Sequence, residues 1–284
     1  MILTLVNNKG GVGKTTTAVS LAAALAEQGL RVLLVDVDSQ ASASLSVGLG
    51  RAELSPSVAD VLLRGKPSEQ AIRSTTTPGL HVLPGSVDLV SAEEDLSTLP
   101  RKELLLRQAL ERVRGDYDYV FVDCPPGLGL LTRNALVAAD GFLVPVVPHF
   151  LAAEGVEGLL EAVGRLAWRT QSKARLVGIL ATMVDMRTRA ARETLDALRS
   201  RYHDRVFALE IRGNVRLAEA PSLGRTIFQH DRECVGARAY ALLAEELLAR
   251  LGRPTREDAA VTDRRPAVAA RPEPSASLRW AGER

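Results

Sequence analysis

Cysteines, aromatic residues and long apolar runs are all scarce in this chain. Its two cysteines, Cys124 and Cys234, are too few and too far apart for a disulfide framework or a zinc site. No window approaches roughly 18 consecutive apolar residues, and the first apolar run leads directly into a glycine-rich loop, so we expect neither a membrane span nor a cleavable signal peptide. The sequence therefore predicts a cytoplasmic protein with reduced thiols.

A large excess of charge of either sign is also lacking. The formal net charge is +2, which argues against a chain that coats nucleic acid over its whole surface. Residues 252–284 hold seven arginines and five acids, so residues 1–251 are neutral overall. Residues 182–225 hold nine arginines and six acids, which is a modest local excess. Any face that binds nucleic acid must therefore be local.

The chain does contain 46% hydrophobic residues over 284 positions, which is enough for a full core. Short apolar, β-branched runs alternate with helical patterns, at residues 2–6, 31–37, 80–83, 119–122, 141–147, 176–181 and 205–209. Because these runs are apolar on both faces, helices should cover both sides of the strands. We predict an α/β fold with a mostly parallel, twisted sheet, right-handed crossovers and ligands at the carboxyl ends of the strands.

A glycine-rich loop joins the first predicted strand to an Ala- and Leu-rich helix. Three glycines in four positions let backbone N–H groups point inward, and the helix adds its positive end, so the loop is suited to phosphate. Lys14 would reach the β- and γ-phosphates, and the Thr15 hydroxyl would ligate Mg²⁺. The sequence predicts a P-loop NTPase with an ATP or GTP site formed by Lys9, Gly10, Gly11, Val12, Gly13, Lys14, Thr15 and Thr16.

Acidic residues follow two of the other buried runs. Asp36 and Asp38 come at the end of one, and Asp123 ends another, just before two prolines, as a Walker B acid would. Beside a phosphate loop, one carboxylate could orient or deprotonate the attacking water, and another could hold Mg²⁺ through water. We predict Asp123 as such a water-mediated ligand. Asp38 has a second, compatible interpretation as the N-cap of the Ala- and Ser-rich segment after it.

Two motifs resemble one family. The loop has Asn8 where the plain Walker A motif has Gly, and its pattern Lys-Gly-Gly-x-Gly-Lys-Thr-Thr resembles the deviant Walker A ATPases of the ParA/MinD group. Residues 211–224 read Ile-Arg-Gly-Asn-Val-Arg-Leu-Ala-Glu-Ala-Pro-Ser-Leu-Gly. This resembles the segment Pro-Arg-Asn-Val-Arg-Leu-x-Glu-Ala-Pro-Ser-x-Gly of ParA, or Soj-type, partition ATPases. The resemblance covers residues 1–251, which we interpret as one ATPase domain.

The resemblance implies an ATPase that uses ATP and Mg²⁺. In this family ATP binding closes a sandwich homodimer, in which the lysine matching Lys9 reaches the partner's nucleotide. Asp38 matches the acid tied to hydrolysis, although Ser39 replaces the usual proline. Lys9, Lys14 and Asp38 are therefore the predicted catalytic residues, and Asp36 is left to hold Mg²⁺ through water. Asn214 matches a contact to the adenine.

The resemblance further implies nonspecific binding to double-stranded DNA, hence association with the nucleoid, and stimulation of slow hydrolysis by a ParB-like centromere-binding partner. One DNA-contacting arginine of the family matches Arg187, and the other matches Gly213, which lacks the charge. Our hypothesis is that Arg212 or Arg216 replaces it. No membrane partner is expected, and the cargo could be a chromosome, a plasmid or another assembly.

The remaining predictions concern the C-terminal residues, individual core residues and two alternative functions. Residues 252–284 are rich in Pro, Arg and Ala and are predicted to be a disordered tail, whose prolines argue against the amphipathic helix of a MinD-like positioning ATPase. A nucleotide-dependent regulator or scaffold that binds only protein partners is the other alternative.

Trp168 and Cys124 are predicted to be buried, and Leu195 and Leu198 to face inward from a helix that begins with exposed arginines.

Overall fold

The computed structural model describes residues 1–149 and 151–252. Seven strands form one sheet in the order β3-β4-β2-β5-β1-β6-β7. They are β1 (Ile2–Leu5), β2 (Val32–Asp36), β3 (Arg73–Ser74), β4 (Leu80–Leu83), β5 (Tyr119–Asp123), β6 (Gly141–Val146) and β7 (Arg175–Ala181). All neighbouring pairs are parallel except β3 with β4, a short antiparallel edge that the sequence did not predict. The predicted mostly parallel sheet is confirmed.

Twelve helices flank the sheet in the described part of the chain. They are α1 (Lys14–Glu27), α2 (Ser42–Ser46), α3 (Val58–Arg64), α4 (Ser68–Ala71), α5 (Leu89–Ser97), α6 (Leu105–Glu111), α7 (Leu130–Ala138), α8 (Ala152–Thr170), α9 (Arg189–Tyr202), α10 (Val215–Ser222), α11 (Ile227–His230) and α12 (Val235–Leu251). Among residues 1–149 and 151–252, none of these helices is long and apolar enough to cross a membrane. The tail predicted for residues 252–284 lies, beyond Gly252, outside the described residues.

The core has two layers, one on each face of the sheet. Side chains alternate along β2, so that Leu33 and Val35 join one apolar cluster while Val32 and Leu34 join the other. Helices α3 to α8 contribute to the first cluster, and α1, α2, α10, α11 and α12 contribute to the second. This arrangement explains why the strands are apolar on both faces.

The strand predicted at residues 205–209 is wrong. Only an isolated bridge joins Val206 to Ile179 of β7, with Phe207 N donating to Ile179 O at 2.9 Å. The next two amides, of Ala208 and Leu209, donate instead to the Glu246 carboxylate on α12, at 2.9 and 3.1 Å. A side chain therefore replaces β7 as the acceptor for these two amides, and pairing with β7 resumes only at Ile211 N, which donates to Ala181 O at 2.9 Å.

The prediction of a buried Trp168 is also wrong, since 81% of this residue is exposed. The buried stripe of α8 consists of Val156, Leu159, Val163 and Leu166, spaced three and four residues apart. Trp168 follows Leu166 by two positions and so points away from that stripe. The inward placement of Leu195 and Leu198 on α9 and the burial of Cys124 are confirmed.

Candidate functional site

The glycine-rich loop lies between β1 and α1, as predicted, and its conformation depends on glycine. Gly11 and Gly13 have φ angles of 68° and 80°, in the left-handed region where a side chain is unfavourable. The Thr182 hydroxyl, just beyond β7, donates to Val12 O at 2.9 Å. The loop is thereby fastened to the neighbouring part of the sheet.

Asn7 fastens the beginning of the loop. Its side-chain oxygen accepts from Lys9 N at 3.0 Å, and its amide nitrogen donates to Pro145 O of β6 at 2.7 Å. Asn7 is buried, and both ends of its side chain are used. This residue was not singled out in the sequence, because an asparagine after a strand is an ordinary turn residue.

The two lysines of the loop have different environments. Lys14 is buried, and its Nζ donates to Lys9 O at 3.1 Å across the loop. Burial lowers the pKa of Lys14, whereas the Asp123 carboxylate raises it by less. Lys9 itself is exposed. Lys14 thus faces the interior of its own loop, and Lys9 lies on the surface.

Asp36 and Asp123 lie side by side at the carboxyl ends of the adjacent parallel strands β2 and β5. Both are fully buried. Burial is the main cause that raises the pKa of Asp36, to about 6, and that of Asp123 well above its ordinary value, where the Asp36 charge adds to the effect. Two buried acids at adjacent positions therefore favour a cation or a proton between them.

The hydrogen bonding of these two acids differs. Asp36 Oδ2 accepts from Ser44 N at 2.8 Å and from Ser44 Oγ at 2.7 Å, and its Oδ1 accepts from Asp38 N at 3.2 Å. Neither carboxylate oxygen of Asp123 has a hydrogen-bond partner within the described residues. Buried polar atoms are normally paired, so Asp123 is the acid with unused acceptors.

These unused oxygens are compatible with a hydrated Mg²⁺. The Thr15 side chain is near enough to lower the pKa of Asp123, against the larger effect of burial. In the described ranges, no group of three or more His, Cys, Asp or Glu side chains could hold a metal ion. A cation here would therefore depend on Thr15, water and phosphate oxygens, which is how proteins commonly hold Mg²⁺.

Asp38 lies two residues beyond Asp36 and is half-buried. Its Oδ1 accepts from Gln40 N at 2.9 Å, which closes a local turn. The interpretation of Asp38 as a helix N-cap is wrong, because α2 begins at Ser42 and its N-cap position is Ala41. The side chain that accepts from the first turn of α2 is that of Asp36.

A cavity of about 340 Å³ opens beside the loop. It is lined by Gly13, Thr16, Thr182, Met183, Ile211, Arg212, Gly213, Asn214, Leu217, Ala218 and Tyr240. Asn214 is half-buried, and its Oδ1 caps α10 by accepting from Arg216 N at 2.8 Å. The fold thus brings Asn214 to the loop, as predicted. It also brings Tyr240, whose hydroxyl lies 3.1 Å from Thr17 Oγ1 and which the sequence did not indicate.

The three arginines proposed for DNA binding lie on two adjacent segments, which an isolated bridge joins at Val184 and Arg212. All three are exposed and close to acids. Arg187 makes two bonds to Asp185, at 2.9 and 3.0 Å. Arg216 lies 2.9 Å from Glu219 and 3.5 Å from Asp231, and Arg212 lies 3.9 Å from Glu210. Each of these three exposed arginines thus lies beside a carboxylate.

A parallel sheet with this loop at its carboxyl edge defines the class of P-loop NTPases. A family model described as an AAA domain matches residues 1–176. The chromosome-partitioning ATPase Soj of Thermus thermophilus is 47% identical over 249 residues, which cover 88% of this chain and 96% of that protein. The chromosome partitioning protein ParA of Caulobacter vibrioides is 40% identical over 251 residues, 88% of this chain and 94% of the relative. The chain belongs to this ParA/Soj family of partitioning ATPases.

Solved structures support the fold assignment. Cobyrinic acid a,c-diamide synthase from Mycobacterium smegmatis, with a bound ATP analog and magnesium, is 36% identical with a TM-score of 0.77, covering 89% of this chain and 96% of that one. The septum site-determining protein MinD of Pyrococcus horikoshii, complexed with Mg-ADP, is 25% identical with a TM-score of 0.73, covering 88% and 97%. Both are similar over nearly the whole described chain.

Proposed function

We propose that this protein is an ATP-driven partition switch. It binds ATP with Mg²⁺, closes a sandwich homodimer, binds double-stranded DNA without sequence preference and so associates with the nucleoid. A ParB-like partner stimulates its slow hydrolysis of ATP, and the cycle segregates DNA. The observation that carries this proposal is the contrast between the two loop lysines, since Lys14 is buried within its own loop while Lys9 is exposed and free to act outside it.

The residues of the loop have distinct roles in nucleotide binding. The N–H groups of residues 10–16 and Lys14 hold the phosphates. The cavity at Asn214 takes the base, with Asn214 Nδ2 as donor because Oδ1 caps α10. Thr15 and, through water, Asp123 and Asp36 would hold Mg²⁺, which neutralises charge on the phosphates when bound. The solved relatives with an ATP analog or ADP and magnesium support ATP and Mg²⁺ as the ligands.

Hydrolysis requires a group that orients the attacking water. Asp38 is suited to this role because it is half-buried on the loop after β2, while both oxygens of the fully buried Asp36 already accept from protein donors and could add at most a bond from a Mg²⁺-bound water. Lys9 would act across the dimer on the partner's phosphates. The switch is therefore complete only in the dimer, which agrees with a slow ATPase that waits for a partner.

DNA binding would use the edge that carries Arg187, Arg212 and Arg216. The ion pairs of Arg187 and Arg216 are exposed, with 90% of the Arg187 side chain and 44% of the Asp185 side chain accessible, whereas Glu210 beside Arg212 is only 17% accessible. Exposed pairs of this kind contribute about 0 to 1 kcal/mol, so DNA phosphates can replace the carboxylates at little cost. Dimerisation would double this weak patch, which explains how a chain of low net charge binds DNA only with ATP.

The primary test is retention of the full chain on unrelated DNA duplexes with ATP, with ADP and without nucleotide. Retention with ATP alone is expected. Absence of retention at low salt in all three conditions would refute DNA binding and favour the regulator or scaffold alternative. Deletion of residues 252–284 is the control for the tail, because binding supplied by the tail would not depend on nucleotide.

Arginine variants then locate the DNA-binding edge. Arg187→Glu and Arg216→Glu should each weaken DNA binding while sparing ATP-dependent dimerisation, and Arg212→Glu should do the same if it compensates for Gly213. Losing one phosphate contact per subunit should reduce the salt slope of binding by about two for a dimer. The matched control is Arg107→Glu, an exposed arginine on α6.

Removing an acid from this edge should have the opposite effect. Asp185→Asn releases Arg187 from its ion pair and is expected to tighten DNA binding at low salt. Unchanged binding in Asp185→Asn and in all three arginine variants, with loss on tail deletion, would place DNA binding outside this edge.

A further inference from the structure

A buried chain of hydrogen bonds connects the turn after β4 with the acidic loop after β2. Gly85 N donates to Ser44 Oγ at 3.1 Å, and Ser44 Oγ donates to Asp36 Oδ2 at 2.7 Å. Asp36 Oδ1 in turn accepts from Asp38 N at 3.2 Å. Building on the role proposed above for Asp38 in hydrolysis, we propose that Ser44 is a positioning residue, which holds Asp36 and through it the backbone of Asp38.

The burial of this chain makes the Ser44 hydroxyl important. Ser44 and Asp36 are both fully buried, so water does not replace a missing donor or acceptor. The Ser44 hydroxyl donates to Asp36 and accepts from Gly85, and removing it would leave the Gly85 N–H unpaired and Asp36 with one donor fewer. The orientation of Asp36, and with it the bond to Asp38 N, would then be less well defined.

Gly85 restricts the same loop by direct contact. A Cβ at Gly85 would lie 2.7 Å from Asp38 O and 3.0 Å from Asp36 Cγ, so no side chain fits there. Between Asp38 and Ser44 the chain turns sharply at Ala41, whose φ is 53° and whose N–H donates to Asp38 O at 3.0 Å. The loop that carries Asp38 is therefore held on one side by Gly85 and on the other by Ser44.

The test compares ATP affinity with turnover in Ser44→Ala. Misplacing a catalytic group by a fraction of an ångström affects the transition state more than the bound ground state, so kcat should fall about 10- to 100-fold while the Kd for ATP stays nearly unchanged. Ser44→Thr retains a hydroxyl and should restore most of kcat. Ser46→Ala is the matched control on α2, since that buried hydroxyl donates only to Ser42 O at 2.6 Å.

A double-mutant cycle shows whether Ser44 acts through Asp38. The background variant is Asp38→Asn, which is nearly isosteric and expected to keep a measurable residual kcat, and adding Ser44→Ala to it should reduce kcat by a smaller factor than Ser44→Ala does alone. Three results would overturn the positioning role. They are an additive loss of kcat in the double variant, an unchanged kcat in Ser44→Ala, and an equal loss of ATP affinity and kcat in Ser44→Ala. Should Ser44→Ala fail to fold, Ser44→Cys keeps a side chain of similar size with only a weak donor and should show the same split between Kd and kcat, whereas wild-type kcat in Ser44→Cys would overturn the positioning role.

The two proposals fail in distinguishable ways. Hydrolysis by Asp38→Ala at the wild-type rate would overturn the catalytic role of Asp38 and, with it, the role of Ser44. Loss of hydrolysis in Asp38→Ala together with normal kcat in Ser44→Ala would overturn the role of Ser44 alone.

Discussion

Replacing Glu246 by alanine is expected to loosen the segment that leads to the base cavity. Glu246 on α12 accepts from Ala208 N and Leu209 N, and it lies 2.8 Å from Arg250 Nη2. These contacts hold residues 206–209 against α12, at the point where their backbone pairing with β7 is interrupted. Asn214, the predicted base contact, follows five residues later. The Glu246 side chain is thus the main acceptor for a segment on which the site depends.

The size of the effect follows from these bonds. A hydrogen bond to a charged group contributes about 1.5 to 3 kcal/mol when water cannot replace it. Ala208 is exposed, so water can take over that bond, whereas Leu209 is half-buried. The side chains of Arg250 and Glu246 are 21% and 22% exposed, so their ion pair is partly screened. We expect the free energy of unfolding to fall by about 2 kcal/mol in Glu246→Ala.

Urea denaturation of the full chain measures this change, and amide hydrogen exchange at Ala208 and Leu209 shows whether the opening is local. Glu245→Ala is the matched control, because Glu245 is an exposed acid one position away on α12. Glu246→Gln keeps one acceptor and should lose less stability than the alanine variant. A difference below about 0.5 kcal/mol between the Glu246→Ala and Glu245→Ala variants would refute the reasoning, because surface substitutions commonly vary by that much.

Three further outcomes are expected. Lys14→Ala should abolish nucleotide binding, as measured by titration calorimetry. Lys9→Ala should still bind ATP but fail to dimerise, as measured by sedimentation. Normal dimerisation of Lys9→Ala would contradict the cross-interface role. Asp38→Ala should bind ATP, dimerise and remain on DNA without releasing phosphate. Gly178→Ala should lower the free energy of unfolding by about 1 to 3 kcal/mol, because a Cβ there would overlap the Phe207 ring; an unchanged urea midpoint would contradict this steric argument.

The local pattern of apolar and polar residues was sufficient to predict most strands of the sheet. The runs at residues 2–6, 80–83 and 119–122 became β1, β4 and β5, because each is mainly apolar on both faces and is followed at once by Asn7, Pro84 or Asp123. The run at residues 205–209 has a similar composition and does not form a strand. Two of its backbone amides donate hydrogen bonds to Glu246, which lies almost 40 residues away in sequence. A local sequence pattern cannot predict such a contact.

By itself, the sequence determined the chemistry of the phosphate loop. The glycines and the two lysines that define this chemistry all lie within eight consecutive residues, so their spacing can be recognised without the fold. It gave Asp36 and Asp123 the same water-mediated role toward Mg²⁺, because both are acids that end buried strands. The tertiary structure separates them by bringing Ser44 and Asp38 N to Asp36 while leaving Asp123 unpaired within the described residues. The physical reason is that a buried carboxylate is defined by the donors folded around it, and the Ser44 hydroxyl that donates to Asp36 is itself held by Gly85 N, in the turn after β4.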